Sequence, residues 1–253
     1  MTNRKLATGI ILCASAALAA CGSGDGNSNG GAETHSEQSE NVAVQPYNVS
    51  GFLGGNANPN LPEGEQGEVS VVQIGPLNKD SGTLPFAFRN NTNEEIAHID
   101  WSATARNGGE VVGSGSSQGT SPAQVQPGEV GFSYIYFDNG EALPDDTEYE
   151  FSSDSTPAGP SSYNTAPFTV TEANLVGDAI VGSATNETGN KVSGPYSVSI
   201  YCFDGDKLVS DINTFASPDG DLDDGGTTSF SADLYSTPCE TYSVGVSGYF
   251  VGD

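Results

Sequence analysis

The chain has 253 residues, of which 7 are Lys or Arg and 33 are Asp or Glu, giving a formal net charge of −26 at pH 7. Because polyanions repel so negative a chain, nucleic acid and anionic lipid surfaces are disfavoured as partners. Charged residues make up 16% of the chain, so the imbalance comes from a scarcity of Lys and Arg rather than from an unusual density of acids.

Residues 1–20 have the layout of a secretory signal peptide. Arg4 and Lys5 precede an apolar run over residues 6–18, which is too short to span a bilayer because a helical span needs about 20 residues. The closing motif Leu18-Ala19-Ala20-Cys21 resembles a bacterial lipobox. The resemblance implies that Cys21 is lipidated and anchors the protein to the extracytoplasmic face of the cell membrane. The alternative is an ordinary signal peptide that leaves Cys21 as a free thiol.

Residues 21–46 are rich in Gly, Ser, Asn and Glu and contain almost no large apolar side chain. This composition predicts a disordered, flexible tether with a reach of roughly 25–30 Å. Residues 47–67 form a transitional segment with several Gly and Pro residues. Phe52 and Leu53 in this segment either pack on the following domain or stay loose.

From residue 68 onward the pattern is that of short β-strands separated by Gly and Pro turns. Ile99, Trp101 and Ala103 alternate with polar residues, which predicts a strand with one buried face and Trp101 in the core. Further strands are predicted at residues 69–72, 84–89, from 111, 130–137 and 148–151. No stretch after residue 21 has sustained helical periodicity, so the fold class is all-β and the architecture a sandwich.

The turn signals occur twice along the chain. Asn90-Asn91-Thr92 has a counterpart in Asn186-Glu187-Thr188, and Pro127-Gly128-Glu129 has a counterpart in Asp224-Gly225-Gly226. We therefore predict two copies of one β-module, with the boundary in the Ser, Pro and Gly-rich residues 152–167. The first β-sandwich is assigned to residues 68–160 and the second to residues 167–253, each long enough to fold alone.

Both copies resemble the FxLYD-type domains of exported bacterial and archaeal proteins. The resemblance rests on residues 176–186, which lead into the Asn186 turn, and on residues 200–205, which end in the aromatic turn Phe203-Asp204-Gly205. The first copy departs from the pattern, since Arg106-Asn107-Gly108-Gly109 stands at that turn. The resemblance covers roughly two thirds of the chain, and it implies two tandem immunoglobulin-like antiparallel β-sandwiches and no known chemistry.

The chain has four cysteines. Cys13 would leave with the signal peptide and Cys21 would carry the lipid. Cys202 and Cys239 then remain in an exported protein, which predicts a disulfide between them. Two free thiols or a metal site are the alternatives. A metal site would need further ligands, and the chain has two histidines, His35 in the tether and His98 in a predicted strand.

Asp219, Asp221 and Asp223 alternate in an acidic loop, and their spacing is similar to that of a calcium-binding loop. The loop departs from the EF-hand pattern, because position six is Asp224 instead of Gly and position twelve is Phe230 instead of Glu. The alternative is a solvated loop that binds no metal.

No catalytic set can be assembled from the sequence, so we expect no enzyme and no cofactor. His98 continues a polar face, which favours a surface or cross-strand role over that of a general base. Several strand tyrosines either face a ligand or belong to the core. They are Tyr134, Tyr136, Tyr163, Tyr196 and Tyr249.

These features predict a monomeric, membrane-anchored lipoprotein that acts as a non-enzymatic binding or spacer module, with an envelope protein as a partner. A calcium-dependent or solute-binding surface lipoprotein is the second hypothesis. An envelope enzyme is the third.

Overall fold

Two antiparallel sheets of seven strands each form the protein, as seen in a computed structural model that describes residues 46–161 and 164–251. The described residues contain one short 3-10 turn, Gly140–Ala142, and no helix long and apolar enough to cross a membrane. The all-β prediction is therefore confirmed. Cys13, Cys21, His35, most of the predicted tether and Tyr163 lie outside the described residues.

The first sheet belongs to the first module, whose strands follow one another from residue 69 to residue 157. These are β2 (Val69–Ile74), β3 (Thr83–Asn90), β4 (Ile96–Asn107), β5 (Glu110–Ser121), β6 (Gln124–Val125), β7 (Val130–Tyr136) and β8 (Glu148–Pro157). Their order is β2-β3-β7-β5-β4-β6, and β8 pairs with β4. Pairing of β5 with β7 curls the sheet, so that its two halves enclose one core.

The second sheet contains the strands of the second module and a short strand from the segment before the first module. These are β1 (Gly54–Gly55), β9 (Thr165–Val176), β10 (Ala179–Thr185), β11 (Val192–Asp204), β12 (Lys207–Phe215), β13 (Thr227–Asp233) and β14 (Thr241–Phe250). Their order is β12-β11-β14-β9-β10-β13, and β1 pairs with β14. The first residues of β9 pair with β14 and the rest pair with β10, so this strand joins the two halves.

Each module has its own apolar core. Trp101 is 3% exposed and lies against Phe86 and Phe88, with ring centroids 5.1 Å and 5.2 Å apart. Its position confirms the predicted core strand. In the second module, Cys202 and Cys239 are both buried and form the predicted disulfide across 37 residues of chain.

The boundary prediction needs correction, and the set of predicted strands is incomplete. Residues 152–157, expected in the boundary region, continue β8 and pair with residues 96–102 of β4. They are exposed, so cross-strand hydrogen bonding rather than apolar burial defines this part of the strand. Strand β12 was not predicted, because its polar residues Asp211 and Asn213 conceal the strand pattern.

The predicted turn correspondence has a structural counterpart in two buried asparagines, Asn90 and Asn186, each 0% exposed. The side-chain oxygen of Asn90 accepts from the backbone N–H and the hydroxyl of Thr92, and that of Asn186 accepts likewise from Thr188. Each amide also donates to two backbone carbonyls. The two turns therefore share one hydrogen-bonding pattern.

Residues 46–67, here called the strap, run between the two modules and are fixed to both. Leu53 is 6% exposed, so it packs in an apolar cluster and does not stay loose. The backbone N–H of Asn60 donates to Asp206 Oδ1 of the second module at 2.9 Å. The Arg89 guanidinium of the first module donates to the carbonyls of Leu61 and Pro62.

A third apolar cluster, the interface core, lies between the modules. Phe132 of the first module stacks on Tyr201 of the second with ring centroids 4.8 Å apart, and Phe203 packs edge-on at 5.8 Å. All described residues fall in one compact unit. The buried members of the interface core are Leu53, Leu61, Ala87, Val130, Phe132, Tyr201, Phe203 and Leu208.

Candidate binding cleft between the two modules

A cleft of about 590 Å³ opens beside the interface core, with one wall from each module. Its volume lies within the range of about 300–1,000 Å³ that is usual for small-molecule sites. Tyr134 and Tyr201 lie where the cleft meets the interface core, and Phe215 and Tyr249 lie at its more exposed side.

The wall of the second module is the outer face of β11, β12 and β14. Ser197 pairs with Phe215 on one side and with Ser247 on the other. Two residues further along β11, Ser199 pairs with Asn213. Because side chains alternate along a strand, the intervening apolar residues of β11 face the module's core while this hydroxyl-rich face lines the cleft.

The wall of the first module is formed where two strands are irregular. The register of β4 shifts at His98, whose φ of 44° is in the left-handed region that non-glycine residues rarely adopt. The register of β5 shifts between Ser117 and Thr120. Bulges re-aim side chains and occur often beside functional sites, and both of these lie along the cleft. His98 Nε2 lies 3.7 Å from Asp100 Oδ2.

Asp211 lies behind the cleft wall and orients Asn213. Asn213 Nδ2 donates to Asp211 Oδ2 at 2.9 Å, and Ser199 Oγ donates to Asn213 Oδ1 at 2.9 Å. Burial raises the pKa of Asp211, while the hydrogen bonds from Asn213 and Thr83 oppose this shift. Among the described residues, no Lys, Arg or His nitrogen forms an ion pair with this carboxylate.

The two inner tyrosines keep their hydroxyl protons at neutral pH. Burial, and secondly the Asp211 carboxylate, raise the pKa of Tyr134. The same two causes, in the same order, raise the pKa of Tyr201 well above its ordinary value. Phe215 and Tyr249 are 64% and 44% exposed, so their ring faces are accessible.

The predicted tyrosines divide among several environments. Tyr134 and Tyr249 line the cleft. Tyr196 is buried in the second core, where its hydroxyl donates to the Gly220 carbonyl at 2.5 Å. Tyr136 is an exposed residue of β7 outside the cleft lining.

The sequence did not predict that Tyr201, Asn213 and Phe215 line the cleft or that Asp211 lies behind it. The alternation of Ser197, Ser199 and Tyr201 with core residues was an available signal. It marked an outer face, but a pattern within one strand carries no information on what lies opposite.

The acidic loop is held by protein contacts. Asp221 Oδ2 lies 2.9 Å from Lys191 Nζ, and Asp221 is the main cause that raises the pKa of Lys191. Asp224 accepts from the backbone N–H of Gly189. Within residues 46–161 and 164–251, no group of three or more His, Cys, Asp or Glu side chains is placed to hold a metal ion. The calcium assignment to Asp219, Asp221 and Asp223 remains a prediction.

Comparison with known proteins gives no match to any family model, curated protein or solved structure. The FxLYD-type resemblance therefore stays a prediction.

Proposed function

We propose that the protein is a lipid-anchored lipoprotein on the extracytoplasmic face of the cell membrane, where its folded part acts as a non-enzymatic binding and spacer module. The Leu18-Ala19-Ala20-Cys21 motif supports the anchor. The Cys202–Cys239 disulfide supports an oxidising compartment, since such bonds persist outside the cytosol.

The interface core carries the spacer part of the proposal. Modules joined by a bare linker move independently, whereas these two share buried aromatic contacts and a strap. Gln73 of the first module adds two polar contacts: its Nε2 donates to the Asp206 carbonyl at 2.9 Å, and its Oε1 accepts from the Leu208 N–H at 2.6 Å. A rigid pair of sandwiches presents any bound partner at a fixed geometry beyond the tether.

The anchor is tested by a Cys21→Ala variant expressed in a bacterial host that lipidates exported proteins. We expect the wild type in the membrane fraction and the variant, folded, in the soluble extracytoplasmic fraction. Cys13→Ala is the matched control, since this cysteine lies in the predicted signal peptide and its loss should leave the wild-type distribution. A Cys21→Ala protein that stays in the membrane fraction shows that the anchor lies elsewhere.

The partner is tested by cross-linking the anchored protein in intact cells and identifying the attached envelope proteins. We expect a discrete adduct that the Cys21→Ala variant, displaced from the membrane, forms less often. An absence of any adduct argues against an envelope protein partner.

Solute capture is a second candidate function, favoured by the cleft. Its position between two modules and its mixture of hydroxyls, one amide and aromatic rings are typical of ligand sites. The calcium version of this candidate is tested by melting curves with calcium and with a chelator. Bound calcium would raise the midpoint, because a ligand that binds only the native state stabilises it. An unchanged midpoint removes the calcium interpretation.

A further inference from the structure

We propose that the cleft between the modules binds a neutral saccharide. This inference rests on the proposed binding role and names the chemistry of its ligand. Sugars combine rings of C–H bonds with many neutral hydroxyls, so a protein site for them needs accessible aromatic faces beside paired donors and acceptors.

Asn213 supplies a donor and an acceptor in fixed orientation. Its amide has two N–H groups and two oxygen lone pairs, and the contacts to Asp211 and Ser199 use one of each. Among the described residues, the second N–H and the second lone pair have no protein partner. Because the amide is held on both sides, it can bind two neighbouring sugar hydroxyls without losing side-chain entropy.

The hydroxyls beside Asn213 extend this polar surface. Ser197 and Ser247 are cross-strand partners on the same face, next to Phe215. A hydroxyl both donates and accepts, so it adapts to whichever hydrogen a sugar hydroxyl presents. The protonated phenol of Tyr134 adds a donor from the opposite module.

Phe215 and Tyr249 supply the apolar part of the site. Phe215 lies on the outer face of β12 and is 64% exposed. This exposure forgoes the favourable free energy of burying a large apolar side chain. An aromatic face carries partial negative charge and attracts the partly positive C–H bonds of a sugar ring. A sugar ring against Phe215 would lie within reach of the Ser197 hydroxyl, its direct cross-strand neighbour.

Charge distinguishes a neutral ligand from an ionic one. None of the described lining residues is Lys or Arg, and the Asp100 carboxylate among them repels anions. A cation would need a carboxylate free to contact it, but Asp211 lies behind the wall and accepts from Asn213. Asp100, the one carboxylate among the described lining residues, lies 3.7 Å from His98 Nε2. Apart from the His98 imidazole, the remaining polar side chains of the described lining are neutral hydroxyls and the Asn213 amide, which suits a ligand without charge.

The test uses the full chain, purified in a detergent without sugar groups, on an array of neutral, cationic and anionic oligosaccharides. A second arm sediments the protein with purified insoluble cell-wall polysaccharide. We expect retention by neutral oligosaccharides, by the polysaccharide or by both. Binding on the array indicates a free sugar as the ligand, and sedimentation with the polysaccharide indicates an envelope glycan. Preferential binding to the cationic or anionic probes, or no binding in either arm, overturns the proposal.

Substitutions then locate the site. Phe215→Ala and Asn213→Ala are each expected to weaken binding by about tenfold or more, because each removes a central contact. Tyr235→Ala is the control for the first, since Tyr235 is 83% exposed and outside the cleft. Asn174→Ala is the control for the second, since Asn174 Nδ2 donates to Glu172 Oε1 at 2.8 Å with the same two-residue spacing.

These binding measurements also distinguish failure of the saccharide proposal from failure of the proposed lipoprotein function. If Phe215→Ala and Asn213→Ala keep wild-type melting temperatures and wild-type affinity, the saccharide site is not in the cleft. That outcome, like an array without binding, leaves the Cys21→Ala membrane assay and the cross-linking assay unaffected.

Discussion

Arg89 is a buried cation that holds the strap against the first module. It is 2% exposed, and its guanidinium donates to four backbone carbonyls, three of which belong to the strap. Nη1 donates to Gly128 at 2.6 Å and to Pro46, Nε donates to Pro62 at 3.1 Å, and Nη2 donates to Leu61 at 3.3 Å. Burial lowers the pKa of the guanidinium, but Arg remains charged at neutral pH.

Arg89→Met removes the donors and keeps most of the side-chain volume. A hydrogen bond from a charged group contributes about 1.5–3 kcal/mol, so four would suggest a large loss. The buried guanidinium costs several kcal/mol of desolvation, which the substitution relieves. The strap carbonyls can also recover water. We therefore expect a net loss of about 2–4 kcal/mol in the free energy of unfolding.

The measurement is thermal unfolding followed by circular dichroism and by the fluorescence of Trp101, the single tryptophan, which reports on the first module. The expected loss corresponds to a melting temperature lower by roughly 4–16 °C. Arg89→Lys should recover little of the lost stability, because a single ammonium group cannot reach all four carbonyls that the planar guanidinium contacts.

Arg106→Met is the matched control. Its Nε lies 2.8 Å from Glu150 Oε2 in a partly exposed ion pair, and such pairs contribute about 0–1 kcal/mol. If Arg89→Met melts no lower than Arg106→Met, the strap does not depend on the guanidinium and the reasoning is refuted.

Three further predictions concern the turns, the disulfide and the buried carboxylate. Asn90→Ala and Asn186→Ala should each destabilise the protein by about 2–3 kcal/mol in urea unfolding, because each removes the four side-chain hydrogen bonds of a buried asparagine. A large difference between the two variants would contradict the shared pattern. Replacing Cys202 and Cys239 by Ser should cost about 4 kcal/mol from loop entropy, and unchanged urea unfolding would contradict this. Because burial raises the folded pKa of Asp211 above 3.8, the charged form opposes folding at neutral pH. Asp211→Asn should therefore melt higher than the wild type at pH 7, with the difference shrinking as pH falls through the folded pKa; a constant difference down to pH 3 counts against this cause.

Local patterns in the sequence were sufficient for the features that depend on neighbouring residues. The alternation around Trp101 identified a core strand, because side chains on a strand alternate between its two faces. The paired asparagine turns were visible for a similar reason, since Asn90 and Asn186 bond mainly to residues a few positions away. The disulfide followed from cysteine count and expected compartment.

Features that depend on packing between distant segments leave no local pattern and could not be predicted. Leu53 and Leu61 stand in a segment without periodicity, and their burial depends on strands far along the chain. Strand β12 was hidden because Asp211 and Asn213 are polar, yet pairing with β11 makes it a strand.

The sequence by itself determined the all-β class, the inward face of the Trp101 strand, the disulfide pair and the expected anchor at Cys21. Each of these follows from short-range periodicity, turn chemistry or composition. Tertiary structure alone decided that the two modules share the interface core and that a cleft lies beside it. The reason is physical: the outer face of β11 becomes a contact with Phe132 or a cleft wall only when another module packs against it.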